Sequence, residues 1–287
     1  MRRPLASTLA ERVESLAVLD APGKAIAKKI RSSLPGGPVK DALSGVQIGH
    51  PLHPLLTDVV IGTWTSAAIL DVVGGRDGRR AAERLIAAGL AATPPTLATG
   101  WSDWADTEPA SAEIRRGGLV HATLNGTATT LMAMSLADRR RGRLARGRLL
   151  SFAGVGLLSA GGWLGAHLSY AQGVGVDTTA FQSGGTDWTR AAALDDVPEG
   201  RAVCANVDGD DVLLVRRGER IHALADRCTH RAGALHTGEV GEGTITCPLH
   251  GSCFSLEDGS VLRGPAAYPQ PTFETRVRDG AVEIRRV

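Results

Sequence analysis

From Leu119 to Ala137, and again from Leu149 to Gln172, the chain carries no Asp, Glu, Lys or Arg, and this absence constrains its fold more than any other feature. Two further apolar stretches precede them, Leu55 to Leu70 and Leu85 to Gly100, each bounded by charged or polar sequence. A helix that crosses a bilayer needs about 20 mostly apolar residues, a length that the later two stretches meet and the earlier two approach. Basic clusters flank the four, and no polar face recurs along them as it would on a buried soluble helix. They are therefore read as a transmembrane four-helix bundle over residues 50–173, with membrane lipid around it. Abundant Gly, Ala, Ser and Thr suit the close helix approach that packing in lipid requires. A net charge of +2 over 287 residues excludes a nucleic-acid partner that depends on basic charge.

Residues 1–49 form an amphipathic, basic segment that ends at Pro35, Gly36 and Gly37. It is too polar for a signal peptide, and reads as a solvated helix or one lying on a membrane surface through Lys24, Lys28, Lys29 and Arg31. Four spans return the chain to its starting side. That rule puts His50 and His53, ahead of the first span, on one rim with His121, early in the third, and His167, late in the fourth. Neutral imidazole ligates haem iron or copper, and ionisable groups in a membrane mark functional sites. The four histidines are thus a candidate haem b, metal or quinone site, with hydrogen bonding inside the bundle as the alternative.

The composition changes after Gln172. Residues 174–191 are a linker rich in Gly, Thr and Asp, and residues 192–287 alternate short β-like runs with turn signals such as Asp208-Gly209 and Asp279-Gly280. Three of the four cysteines crowd between residues 228 and 253, too few in so long a chain for a disulfide scaffold. Cys228-Thr229-His230 and Cys247-Pro248-Leu249-His250 offer two thiolates and two imidazoles from two loops. Such a set holds either tetrahedral zinc or a 2Fe-2S cluster with both sulfurs on one iron and both nitrogens on the other. Cys204, Cys253, His222 and His236 are read as structural, the two cysteines as small buried residues.

The runs CTHRAGAL and CPLHGSCFSLEDGSVLRGP resemble the Rieske iron-sulfur family, and GPAAYPQP, Gly264 to Pro271, resembles its proline-rich loop over the cluster. The resemblance implies a 2Fe-2S cluster with Cys228 and Cys247 on the inner iron, His230 and His250 on the outer iron, and Ser252 hydrogen-bonding nearby. Members of the cytochrome bc type carry an additional disulfide-bonded cysteine in each cluster loop, where this chain has Gly233 and Leu249. Phe254 stands where a tyrosine is expected. Both departures resemble the low-potential, ferredoxin-like subgroup, near the low end of about −150 to +300 mV. GHPLHPLLTDVVIG resembles the opening of an uncharacterised family of four-helix bacterial membrane proteins, which implies architecture alone.

The expected architecture is thus multidomain, a transmembrane helical bundle followed by a small antiparallel β-sandwich with cluster-binding loops. A Rieske cluster moves one electron, so the chain is expected to be an oxidoreductase component rather than a complete catalyst. The chain ends at Val287, without the mononuclear-iron domain of ring-hydroxylating oxygenases, and no Gly-x-Gly-x-x-Gly fingerprint marks a nucleotide. The leading expectation is a membrane-anchored relay between a membrane donor, a quinol or haem partner, and a redox partner protein. The alternative is a tethered ferredoxin serving a separate soluble reductase or oxygenase. Arginines between spans one and two and between three and four favour an extracytoplasmic β domain in the cell membrane, whereas the missing disulfide suits a reducing interior.

Overall fold

The structure, a computed structural model, describes residues 5–182 and 185–286. Residues 1–4 of the N-terminal segment, 183–184 of the linker and Val287 lie outside the described residues. The chain divides into two units. The first joins Leu52–Val174 to the chain up to Leu34, and the second joins Pro35–Pro51 to the chain from Gly175 onward. The stretch read as one N-terminal segment is therefore shared between them.

The first unit contains helices α1 (Leu5–Glu14) and α2 (Asp20–Ser33), and the second begins with α3 (Pro38–Ser44). Four long helices follow in the first unit: α4 (Leu52–Val73), α5 (Gly78–Thr107), α6 (Ala112–Arg140) and α7 (Leu144–Tyr170). They form a closed ring in which α4 packs on α5 and α7, and α6 on α5 and α7. Val60, Trp64, Ala67, Ala82, Ile86, Ala128, Met132 and Leu158 fill the core. Glycines at seven-residue spacing bring α7 against α6. A Cβ on Gly154 would lie 2.9 Å from Met132 Sδ, and one on Gly161 would lie 2.8 Å from the Asn125 amide. Close backbone approach of this kind is how helices pack where lipid removes the hydrophobic drive.

α4 and α7 are long and apolar enough to cross a membrane. The α6 stretch, expected to be the third span, falls short in composition because threonines and Asn125 dilute it. Apolar side chains nevertheless point outward, among them Leu55, Val59, Ile69 and Val72 on α4 and Leu149 and Phe152 on α7. Contiguous exposed apolar surface marks an interaction with lipid or another apolar partner. Between Gly117 and Ala137, α6 rises about 32 Å without a charge, close to the roughly 30 Å of a hydrocarbon core.

Ion pairs close both ends of the ring. At one, Asp71 on α4 pairs with Arg139 on α6 and lies 3.3 Å from Arg148 on α7, and the Asp71 and Arg139 side chains are almost wholly buried. At the other, Arg115 pairs with Glu108 and Asp20, and Arg116 with Asp20. α2 is therefore neither solvated all round nor laid flat on a membrane surface. Gly23 and Ala27 face inward, Ala27 packs with Trp104, Ala105 and Leu119, and Arg31 reaches Glu108 at 3.2 Å.

The second unit is antiparallel β. One sheet runs in the order β1 (Thr189–Ala193), β10 (Ala281–Arg286), β9 (Thr272–Arg278), β4 (Arg220–Ala225), β3 (Asp210–Arg217), β2 (Ala202–Val207). The other is β5 (Glu239–Val240), β6 (Thr244–Thr246), β7 (Cys253–Ser255), β8 (Val261–Arg263). Asp208-Gly209 and Asp279-Gly280 make the two-residue turns, with positive φ at all four residues as type I′ geometry demands. β3 is apolar on both faces because it separates two cores. Val212 and Leu214 pack with Ile221, Val282 and Ile284, while Leu213 and Val215 pack with Ile245, Phe254, Cys228 and Cys247.

Asp71→Ala is expected to cost about 3–5 kcal/mol of stability, because Arg139 stays buried without its counter-charge. The double change Asp71→Leu with Arg139→Met should recover most of that loss. Thermal unfolding of the detergent-solubilised proteins measures both.

Candidate metal centre

Two loops at one end of the β unit carry the same hydrogen-bond pattern. In the first, between β4 and β5, Cys228 N–H donates to Gly233 O at 2.9 Å and Ala232 N–H returns to Cys228 O at 2.9 Å. In the second, between β6 and β7, Cys247 N–H donates to Ser252 O at 2.8 Å and Gly251 N–H to Cys247 O at 3.1 Å. The fourth residue after each cysteine, Ala232 or Gly251, takes positive φ to turn the chain. Each turn aims two amides at its own sulfur: those of His230 and Arg231 at Cys228, and those of Leu249 and His250 at Cys247.

The two sulfurs are adjacent, with the Cys228 thiol donating to Cys247, and both residues are buried without a disulfide. That donation and the two amides hold the Cys247 thiol below its ordinary range, whereas the proton shared with Cys247, and then burial, push Cys228 up. The paired sulfurs thus favour a thiolate despite an apolar surround. The imidazoles of His230 and His250 meet edge to face, ring centroids 5.0 Å apart. Burial, with positive charge on His250, Arg231 and Lys40, pushes His230 down to about 3, so its ring is neutral. Its Nδ1 is buried with no hydrogen-bond partner. An orphaned imidazole nitrogen beside two adjoining sulfurs fits a group that accepts nitrogen and sulfur donors together.

The surrounding residues fix these loops. Ser252, fully buried, accepts the Ala266 N–H at 2.9 Å. Gln270, which the sequence reading missed, accepts from Thr229 N–H at 3.2 Å and donates to Ala225 O and Arg227 O, both at 2.7 Å. Its only sequence signal is an amide in a run of Ala and Pro. At the neck of the first loop, Asp226 accepts the His236 N–H and shares a hydrogen with its Nδ1, both at 2.7 Å. Cys204 adjoins that carboxylate and is exposed, not buried as expected, because β2 ends the sheet there. Where bc-type members bear their disulfide, a Cβ on Gly233 would lie 3.0 Å from Leu249 and 2.8 Å from Cys247 Sγ, so an apolar contact occupies that place.

The four histidines expected to share one rim lie in different settings. His50 belongs to the β unit and meets the Tyr268 ring edge-on at 5.4 Å. His53 bonds Thr96 O at 3.0 Å and Thr99 Oγ1 at 3.2 Å, and His121 bonds Gly161 O at 2.8 Å. His167 bonds Glu14 at 2.8 Å and stacks on Trp163. His53 and His121 are the two close enough to interact electrostatically.

Two matched turns presenting sulfur and nitrogen from the end of a small antiparallel sandwich define the iron-sulfur electron carriers of Rieske type. The chain belongs to that family: residues 187–274 match the Rieske 2Fe-2S domain, and residues 49–178 match a family described as a predicted membrane protein (DUF2231). It is 31% identical over 99 residues, 95% of the relative and 34% of this chain, to the ferredoxin component of the naphthalene 1,2-dioxygenase/salicylate 5-hydroxylase systems of a Ralstonia species. It is 32% identical over 98 residues to ferredoxin CarAc of Metapseudomonas resinovorans, covering 92% of that protein and 34% of this one. The cytochrome b6-f complex iron-sulfur subunit of Chlorobaculum tepidum is 29% identical over 89 residues, 48% of its length and 31% of this chain. Membership implies a 2Fe-2S cluster and electron transfer with a redox partner.

Gln270→Ala removes three hydrogen bonds from buried backbone and is expected to cost about 1–3 kcal/mol. Denaturant unfolding, together with the rate of iron release to a chelator, checks it; both should worsen while helix content stays unchanged.

Proposed function

We propose that the chain is a membrane-anchored one-electron carrier, in which Cys228, His230, Cys247 and His250 hold a 2Fe-2S cluster. The orphaned Nδ1 of His230 beside the adjoining sulfurs carries this reading. By the Rieske resemblance the two cysteines would hold one iron and the two histidines the other. When bound, the cluster supplies reversible transfer of a single electron. The chain's own part is to solvate two thiolates with four backbone amides and to keep the His230 imidazole neutral. Ser252, whose oxygen already accepts from Ala266, has its hydroxyl proton left to donate towards the sulfurs. The Gly233–Leu249 contact in place of a disulfide supports a low reduction potential.

The helical unit anchors the carrier as a multi-pass domain, supported by the outward apolar faces of α4 and α7 and by ion pairs confined to the ends of the ring. Arg76, Arg79, Arg80, Arg84 and Arg141 gather near one end, which favours that end in the cytoplasm and the β unit outside it. Electrons pass between a donor in the membrane, a quinol or a haem partner, and a redox partner protein. His53 and His121 are the candidate residues for a haem, metal or quinone within the bundle, since Nδ1 of each is bound to a carbonyl; a ligand on His121 Nε2 would displace the Asn125 amide, 3.3 Å away. A second reading keeps the bundle as an anchor for a ferredoxin that serves a soluble oxygenase or reductase. It is favoured by the separate settings of the four histidines and by the ferredoxin relatives.

An oxidised-minus-reduced spectrum of the detergent-purified protein, with iron and sulfide assays, tests the first claim. Broad bleaching and two irons with two sulfides per cluster are expected, and Cys228→Ser should abolish both. A colourless protein containing zinc overturns it. Reduction by membrane vesicles then separates the readings: His53→Ala with His121→Ala slows it in the relay and leaves it unchanged in the anchored ferredoxin.

A further inference from the structure

We propose that Cys204, Asp226 and His236 form a second metal site, for one divalent cation of the zinc class, at the neck of the first cluster loop. None of the four cluster ligands takes part in it, so the proposal goes beyond the functional reading above.

Three segments of the β unit meet at this neck. Asp226 follows β4 directly and His236 lies in the short turn Leu235–Thr237, so the two stand on either side of the loop that carries Cys228 and His230. Backbone closes the loop between them: Leu235 N–H donates to Asp226 O at 2.8 Å, and Arg227 and Ala234 form an antiparallel bridge. Cys204 arrives from β2, where the register sets it opposite Leu213 of β3. Opposed residues of an antiparallel pair share a face, and Leu213 packs on the side of Cys228 and Cys247. Cys204 is thereby brought to the neck from the edge of the sheet. One donor atom from each of the three, a sulfur, a carboxylate oxygen and an imidazole nitrogen, lies within 4.8 Å of the other two.

Ligands around a tetrahedral zinc ion stand roughly 3.5 Å apart, so modest side-chain rotation closes the set, and the exposed Cys204 has room for it. The Asp226 side chain is only 4% exposed, a depth at which a carboxylate is costly without a counter-charge. Each of its oxygens has a hydrogen bond to His236 at 2.7 Å, and a carboxylate has lone pairs beyond those two. A thiolate, a carboxylate and a neutral imidazole sum to two negative charges. A divalent cation cancels them as the thiol proton leaves to solvent. Sulfur, oxygen and nitrogen together suit zinc, whereas calcium and magnesium take oxygen ligands. Cys204 and His236 both reach the surface, so water completes the fourth position, and the ion clips the edge strand to the neck of the loop.

Zinc binding to the full-length, cluster-loaded protein in detergent tests this. After a chelator wash the protein is equilibrated with buffered free zinc, and bound zinc and iron are counted together by mass spectrometry. Zinc is expected to saturate at about one ion per chain with iron unchanged, and zinc-edge X-ray absorption to show one sulfur at about 2.3 Å among lighter ligands. Loss of even an outer partner weakens metal sites about 10- to 100-fold, so Cys204→Ser and His236→Gln should each lower zinc affinity at least about tenfold. Cys204→Ser should also erase the sulfur signal, which His236→Gln should keep. Cys204 is exposed, so its substitution should leave the fold intact, and an unchanged iron content verifies that. Zinc should raise the thermal midpoint of the wild type and leave that of Cys204→Ser unmoved. Uptake that never saturates, or that neither variant weakens, overturns the proposal. Zinc that is lost in Cys228→Ser and kept in Cys204→Ser overturns it too, and with it the functional reading.

Discussion

A thiol surrounded by Leu213, Leu224, Ile245 and Phe254 is expensive to ionise, and much of the β unit is arranged to offset that cost at Cys228 and Cys247. The compensation is backbone. Each cysteine opens a turn whose next residues fold back, and the inward-facing amides do for the sulfur what water would do outside. The same turn fixes the histidine two or three residues along, so sulfur solvation and imidazole placement are one structural decision made twice. Gln270, Thr229 and the Asp226–His236 neck then hold the turns against the rest of the sandwich.

The helical unit solves a different problem with different means. Its ring closes through small residues, and its charges sit at the ends, where Asp71 with Arg139 and Glu108 with Arg115 neutralise one another. Buried ion pairs of this kind add little net stability but penalise any slip of one helix against the next, since a slip leaves a charge unpaired. Register is thereby fixed at both ends of the ring.

What the sequence revealed depended on how local each signal was. The two matched Cys-and-His loops were legible because the Cys and His of each lie within one turn of each other, and the hairpins because Asp-Gly forces one turn type. Four long helices could be read from the apolar stretches, but not their extent, since α5 and α6 run on through charged residues at both ends. Counting spans suggested one rim for the four histidines, but whether imidazoles meet depends on rotation about each helix axis, which span boundaries do not encode. His167 turns to Glu14 and His50 leaves the helices altogether. The docking of Asp41 on Gly264 joins residues 223 positions apart, and no local pattern announces it. Gln270 looked like loop filler because its three partners come from elsewhere in the chain.

That long-range joint also orders the assembly of the protein. α3 leaves the ribosome before any of the long helices, yet the backbone amide it binds is made only after all of them. The early segment must wait while the helices are made, and in a chain that threads a bilayer as proposed it could close on the sandwich only if both lay on the same face. An odd number of crossings between them would strand Asp41 on the wrong side. In such a chain the joint would act as a topological check, closing only where the number of crossings between α3 and the sandwich is even.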